Sequence, residues 1–303
     1  MSDLRSASRP VSPGLTTRLR LALLGRARRP GRRTLVWCAV IAGLWLVLGV
    51  GAPLFAPYDP TVVNVTPGNV PPFPPGPEHW FGTDQLGRDM LSRVLYGLRT
   101  SILIGVGVRT VVMVVGVLIG YLAAFSPGVA RVLLLRATDI MLAFPALLVA
   151  MAVTAVLGPS LATLTLALVI IGWPDVARLV YGEALALRER DYVSAARTFG
   201  AGRWHVLRLH VLRPMAVQLG VAWSVGIPGA IMYEAGLSFF GFGVQPPMPS
   251  LGSLINDGRG YVYAAPWYLV FPTLTLCLLV VSLNLVGEAV ARRFATRSST
   301  EQS

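Results

Sequence analysis

The stretch ILIGVGVRTVVMVVGVLIGYLAAF, residues 102–125, carries one charge, Arg109, in an otherwise apolar run. About 20 such residues at 1.5 Å each cross a hydrocarbon core of roughly 30 Å as a helix, a length that a soluble core does not need. The segment therefore predicts a membrane span. Gly116 and Gly120 fall four apart on one face of it, a spacing of small residues that lets a second helix come close.

Further apolar blocks lie at about 35–54, 132–157, 161–180 and 215–237, with a last one ending near 290. The expected fold is thus an all-α membrane protein of about six transmembrane helices. Residues 1–33 form a basic tail, 34–56 the first span and 57–97 an external loop. Residues 98–290 form a five-helix core with a polar segment at 181–213, and 291–303 a second tail. Pro71, Pro72, Pro74, Pro75 and Pro77 exclude a helix from that part of the external loop. Gly158-Pro159-Ser160 reverses the chain, so the third and fourth spans should be antiparallel.

Composition agrees with this reading, because 54% of the residues are hydrophobic and only 13% charged, against about a quarter charged in soluble domains. The net charge of +12 sits between the spans, where it reports orientation and not nucleic-acid binding. Arg residues concentrate in both tails, around Arg131 and Arg136, and in 181–213, which places both termini and the 181–213 segment in the cytoplasm of a multi-pass protein of the cell (inner) membrane. The two cysteines, Cys38 and Cys277, fall inside spans and read as small buried residues. His79, His205 and His210 form no metal-ligand cluster, so no metal is expected.

Catalytic signatures are missing. No glycine-rich nucleotide loop, nucleophile elbow, His-Glu-x-x-His pair or paired-cysteine motif occurs, so no catalytic residue is assigned and the chain should not hydrolyse ATP. The intramembrane ionisable residues Arg109, Asp139, Asp175 and Glu234 are the ones a bilayer penalises, by about 2.5–3.5 kcal/mol each at its centre. Arg136 and Asp139, three apart, are placed to neutralise each other. Glu234, near the external end of the fifth span, is expected to be partly hydrated. Used as proton sites, Asp139, Asp175 and Glu234 would instead suit a proton-coupled secondary transporter, although no internal repeat supports that design.

Residues 183–214, EALALRERDYVSAARTFGAGRWHVLRLHVLRP, are polar, helix-prone and broken by Gly200 and Gly202. They predict two short helices joined by a turn, with Ala195 and Ala196 giving a flat surface beside it. A partner protein or plain water would satisfy that surface equally well.

Three blocks resemble the type I importer permeases driven by ATP-binding cassettes, specifically the C-type subunit of the dipeptide, oligopeptide and nickel family. They are HWFGTDQLGRDMLSRVLYGLRTSI (79–102), ARLVYGEALALRERDYVSAARTFGAGRWHVLRLHVLRP (177–214) and EAGLSFFGFGVQPPMPSLGSLIND (234–257). With LFAPYDP (54–60) the likeness spans nearly the whole chain after the basic tail. The resemblance implies a type I importer permease fold, a second permease, two ATPase subunits holding ATP and Mg, and an external solute-binding protein that delivers peptides. Nickel chelates or glutathione-like solutes are the alternative cargo. It places Tyr192, Ser194, Ala195, Ala196, Arg197, Gly200 and Ala201 in an ATPase-coupling loop, with Ser194 standing where the family commonly has Glu. It assigns Gly82, Thr83, Asp84, Gly87, Arg88, Asp89, Gln245, Pro246 and Pro247 to a binding-protein-facing or gating surface.

Overall fold

The computed structural model describes residues 32–65 and 71–300, so the basic tail up to residue 31 and the last three residues lie outside it. The described residues are mostly helical, and their only β feature is one isolated bridge between Thr83 and Asp89. In chain order the helices are α1 (Arg32–Val50), α2 (Ala52–Phe55), α3 (Met90–Phe125), α4 (Gly128–Ala143), α5 (Ala146–Leu157) and α6 (Leu161–Arg188). Then come α7 (Asp191–Thr198), α8 (Arg203–His205), a π-helical turn (Val206–Leu212), α9 (Arg213–Phe239), α10 (Leu251–Gly258) and α11 (Pro266–Thr300).

Four of these helices are long and apolar enough to cross a bilayer: α3, α6, the π turn with α9, and α11 up to Arg293. The predicted third span is not one straight helix. It breaks at Phe144-Pro145, where α4 and α5 meet at 95°, and counts as a fifth crossing only if the bent pair is taken together. Proline supplies no amide hydrogen and biases the residue before it away from helix, which ends α4 inside an unbroken apolar run. The apolar part of α1 is a shorter stretch, Ala39–Val50.

Local chemistry sets the helix starts. Asp89 caps α3 by accepting from the Ser92 amide at 2.8 Å. Ser160 and Thr163 form a reciprocal capping box at α6, and Ser250 and Ser253 do the same at α10, inside what the sequence predicts as loop. Two buried clusters hold the bundle. One joins α3, α5, α6, the π turn and α9 through residues such as Val112, Leu164 and Val211, and the other joins α3, α9, α10 and α11 around Met90, Ile231, Leu254 and Tyr268.

The predicted small-residue face of α3 is where α6 lies. A Cβ on Gly116 would meet Val176 Cβ at 2.5 Å, and one on Gly120 would meet the Ala177 carbonyl oxygen at 2.5 Å. Arg188, at the end of α6, donates to the Ala124 carbonyl at 2.8 Å and so ties the ends of the two helices together. Cys277 departs from expectation: it lies in α11 but on its exposed face, away from both clusters. The side chain of Cys38 is outside the described set.

The bundle has two ends. The loop end carries residues 56–65, 71–89 and 240–265. The tail end carries the start of α1, the α3–α4 turn, α7, α8 and the end of α11.

Candidate functional site

At the tail end the chain leaves α6 at Arg188, makes the two-turn helix α7, and reverses at Gly200 before α8 and the π turn lead it back into α9. This is the helix–turn–helix that the sequence predicts. Gly200 has φ +84°, a left-handed conformation open to glycine at little cost. The Ala201 amide donates to the Ala196 carbonyl at 2.9 Å, closing the end of α7 in the Schellman manner. Val193 is fully buried and anchors α7, whereas Tyr192, Ser194 and Ala195 are exposed. Ala196, Gly200 and Ala201 line an open hollow of about 480 Å³ together with Phe199, Gly202 and His205. Phe199 is 90% exposed and Trp204 67% exposed, so two large apolar side chains stand in the open beside that hollow. Arg197 belongs to α7, but its side chain is outside the described set.

At the loop end the FGTDQLGRD turn is folded around a carboxylate. Asp84 accepts from the amides of Leu86 and Arg88 at 2.8 and 3.0 Å and pairs with Arg88 Nε at 2.6 Å. Arg93 Nε lies 3.2 Å from the same carboxylate, close enough for an ion contact but off the axis of a hydrogen bond. Asp89 accepts from His79 Nδ1 at 2.9 Å and from the Ser92 hydroxyl at 2.7 Å. Gly82 and Gly87 take φ of +73° and +71°, and a Cβ on Gly87 would collide with the Asn64 carbonyl.

The structure therefore places Gly82, Thr83, Asp84, Gly87, Arg88 and Asp89 inside the loop end and not on its outer surface. They can shape that surface only from beneath. Gln245, Pro246 and Pro247 are exposed, and these two motifs meet across a cleft of about 290 Å³ lined by Arg88, Arg93, Gln245, Pro246 and Asp257. Burial pushes the Asp257 carboxyl above its ordinary value, and Arg93 and Arg88 oppose the shift only in part.

The intramembrane groups take other partners than the sequence predicts. Asp139 does not pair with Arg136, because Arg178 on α6 reaches it at 2.5 Å from the helix next door. Glu234 is not hydrated: it is fully buried and accepts from Ser101 at 2.8 Å and Ser238 at 2.7 Å. Arg109 and Asp175 face one cavity between α3, α6, α9 and the α4–α5 elbow.

A family model described as "Binding-protein-dependent transport system inner membrane component" matches residues 116–299, the span that contains α6, the α7–α8 turn and α9. The chain belongs to this family. It is a permease of the type I importer fold. A probable D,D-dipeptide transport system permease protein of Escherichia coli strain K12 is 40% identical over 268 residues, 88% of this chain and 89% of its own. A glutathione transport system permease protein of Pectobacterium atrosepticum is 37% identical over 83% and 84% of the two chains. A di/tripeptide transport system permease protein of Pseudomonas aeruginosa is 40% identical over 79% and 80%.

Sequence reasoning about this inner membrane component missed Arg93 and Asp257 as partners in the loop-end cleft. Asp257 ends the third motif block, and only the fold brings it beside the first. Phe199 and Trp204 were legible as apolar residues inside a polar segment. Among the described residues, no group of three or more His, Cys, Asp or Glu side chains is placed to hold a metal ion.

Proposed function

We propose that this chain is one of two permease subunits in an ATP-driven importer of di- or oligopeptides, with its tail end in the cytoplasm of the cell (inner) membrane. The observation that carries the reading is the exposed apolar pair Phe199 and Trp204 beside the small-residue hollow at Ala196 and Gly200. Large apolar side chains on a water-facing turn mark a surface completed by another protein. In this reading the partner there is an ATPase subunit, which holds ATP and Mg. Its closure pushes α7 and, through the π turn, α9, so that the helices exchange between inward- and outward-open states. At the other end, Gln245, Pro246 and Pro247 face a solute-binding protein that delivers the peptide, above a turn stiffened by Asp84 and Asp89.

The cargo assignment leans on relatives named for D,D-dipeptides and for di- and tripeptides, and the glutathione relative is itself named for a small γ-linked peptide. The test is uptake into proteoliposomes holding the whole complex and its loaded binding protein. Peptide should enter only with ATP on the tail-end side. Uptake that follows a proton gradient without ATP would overturn the proposal. So would labelling of Thr198→Cys by an impermeant reagent outside intact cells.

A further inference from the structure

The cavity between α3, α6, α9 and the α4–α5 elbow holds chemistry that coupling to an ATPase does not use. Its volume is about 550 Å³, within the range of about 300–1,000 Å³ typical of sites that enclose small ligands. The wall is mainly apolar, with Val108, Ile171 and Tyr233 among its residues, and it carries one side chain of each charge, Arg109 and Asp175. Both lie near the midpoints of their helices, where a charge is costly and marks a pathway more often than a packing site.

Opposite charges in one cavity would ordinarily neutralise each other. Here Arg109 feels the charge of Asp175, but no contact at ion-pair distance joins the two, although Asp139 and Arg178 on neighbouring turns do pair. Arg109 reaches toward α9 instead: its Nη2 donates to the Ala222 carbonyl at 2.6 Å. Its Nε is buried against Gly226 of α9, with no hydrogen-bond partner among the described residues. The route exists because residue 226 is glycine, since a Cβ there would collide with the guanidinium. Gly229, on the same wall, adds further room.

A guanidinium and a carboxylate that line one cavity, each in the field of the other but not in ion-pair contact, match a solute that carries both charges. We propose that this cavity is a transit subsite for zwitterionic solutes, in which Arg109 reads the carboxylate and Asp175 the ammonium. Free peptides differ in their side chains but share these two termini. A subsite that reads only the termini therefore passes many sequences, and the apolar wall tolerates their side chains without selecting them. This inference rests on the peptide-importer reading above and adds to it where in this subunit the cargo is recognised.

The experiment compares a dipeptide with its C-terminal amide and its N-acetyl form, using derivatives that the binding protein retains. Each is loaded on the binding protein and offered to the whole complex in proteoliposomes. Arg109→Gln should lower uptake of the free dipeptide about tenfold, the loss of one charge-assisted contact, and leave uptake of the amide unchanged. Asp175→Asn should lower uptake of the free dipeptide and spare the N-acetyl form. Each variant thus carries its own control for assembly. Uptake of all three cargoes falling together in both variants, or in neither, would overturn the subsite. A wild-type complex that takes up no dipeptide at all would instead sink the importer reading itself.

Discussion

At the loop end, both carboxylates of the FGTDQLGRD turn are satisfied within the chain, whereas at the tail end Phe199 and Trp204 stand in the open beside a hollow. The two regions are similar in sequence character, each a polar stretch punctuated by glycine, yet their bonding is opposite. The loop end spends its charges on itself, through Asp84, Arg88, Arg93, Asp89 and His79. The tail end leaves Phe199 and Trp204 uncovered by the rest of the chain. A turn that satisfies its own side chains and one that leaves them in the open can therefore look alike in sequence and differ only in where those side chains end up.

Substitutions sharpen the contrast, because the loop end should lose stability and the tail end should lose transport. Asp84→Ala leaves the buried Arg88 without its ion partner and Arg93 with only Asp257 at 3.9 Å, which costs about 3–5 kcal/mol. It should be visible as a large fall in the melting temperature of the purified complex, and an unchanged melt would break the comparison. Gly120→Leu drives a side chain into the Ala177 carbonyl and separates α3 from α6, at about 1–3 kcal/mol, read in the same melt. Ala196→Glu fills the tail-end hollow with a charge. It should shift the melt by no more than about 0.5 kcal/mol while abolishing uptake and peptide-stimulated ATP hydrolysis. Survival of both activities would show that the hollow is not a coupling surface.

The smallest effect is expected at Asp257. Its carboxyl is raised by burial, so the folded protein holds this proton more tightly than the unfolded chain does. The contribution to stability is complete below the ordinary carboxylate value and is lost as pH rises through the folded value. Asp257→Asn cannot lose a proton, so its melting temperature relative to wild type should rise between pH 4 and pH 7. A difference that is flat or falls with pH would mean that Arg93, 3.9 Å away, outweighs burial.

The long spans, the helix–turn–helix at 191–205 and the Gly116–Gly120 contact face were legible because each depends on local periodicity or on one residue type at a fixed spacing. Other features depend on what a distant segment brings. Asp139 was within reach of Arg136 on its own helix, but Arg178 approaches it from α6, and no local rule ranks the two. Glu234 is dry because Ser101 and Ser238 supply its hydrogen bonds, and Ser101 is contributed by α3. The break at Pro145 was hidden for a different reason, since an apolar run reads as continuous whether or not a proline turns it. Helix α10 starts on a Ser-Ser capping box, a weaker sequence mark than one ending in Glu or Gln.

The right-angled break also bears on how the protein is made. Neither arm is a comfortable lodger in lipid alone, because α4 has 16 residues and α5 has 12, and the elbow exposes helix ends that hydrocarbon cannot solvate. The Pro145 carbonyl accepts from Leu148 and Val149, but the last carbonyls of α4 need other company. Since α5 is joined to α6 by a turn of three residues, Gly158 to Ser160, the elbow and α6 would leave the insertion machinery as one hairpin. Biogenesis of this segment would then wait on the synthesis of the helix that follows it.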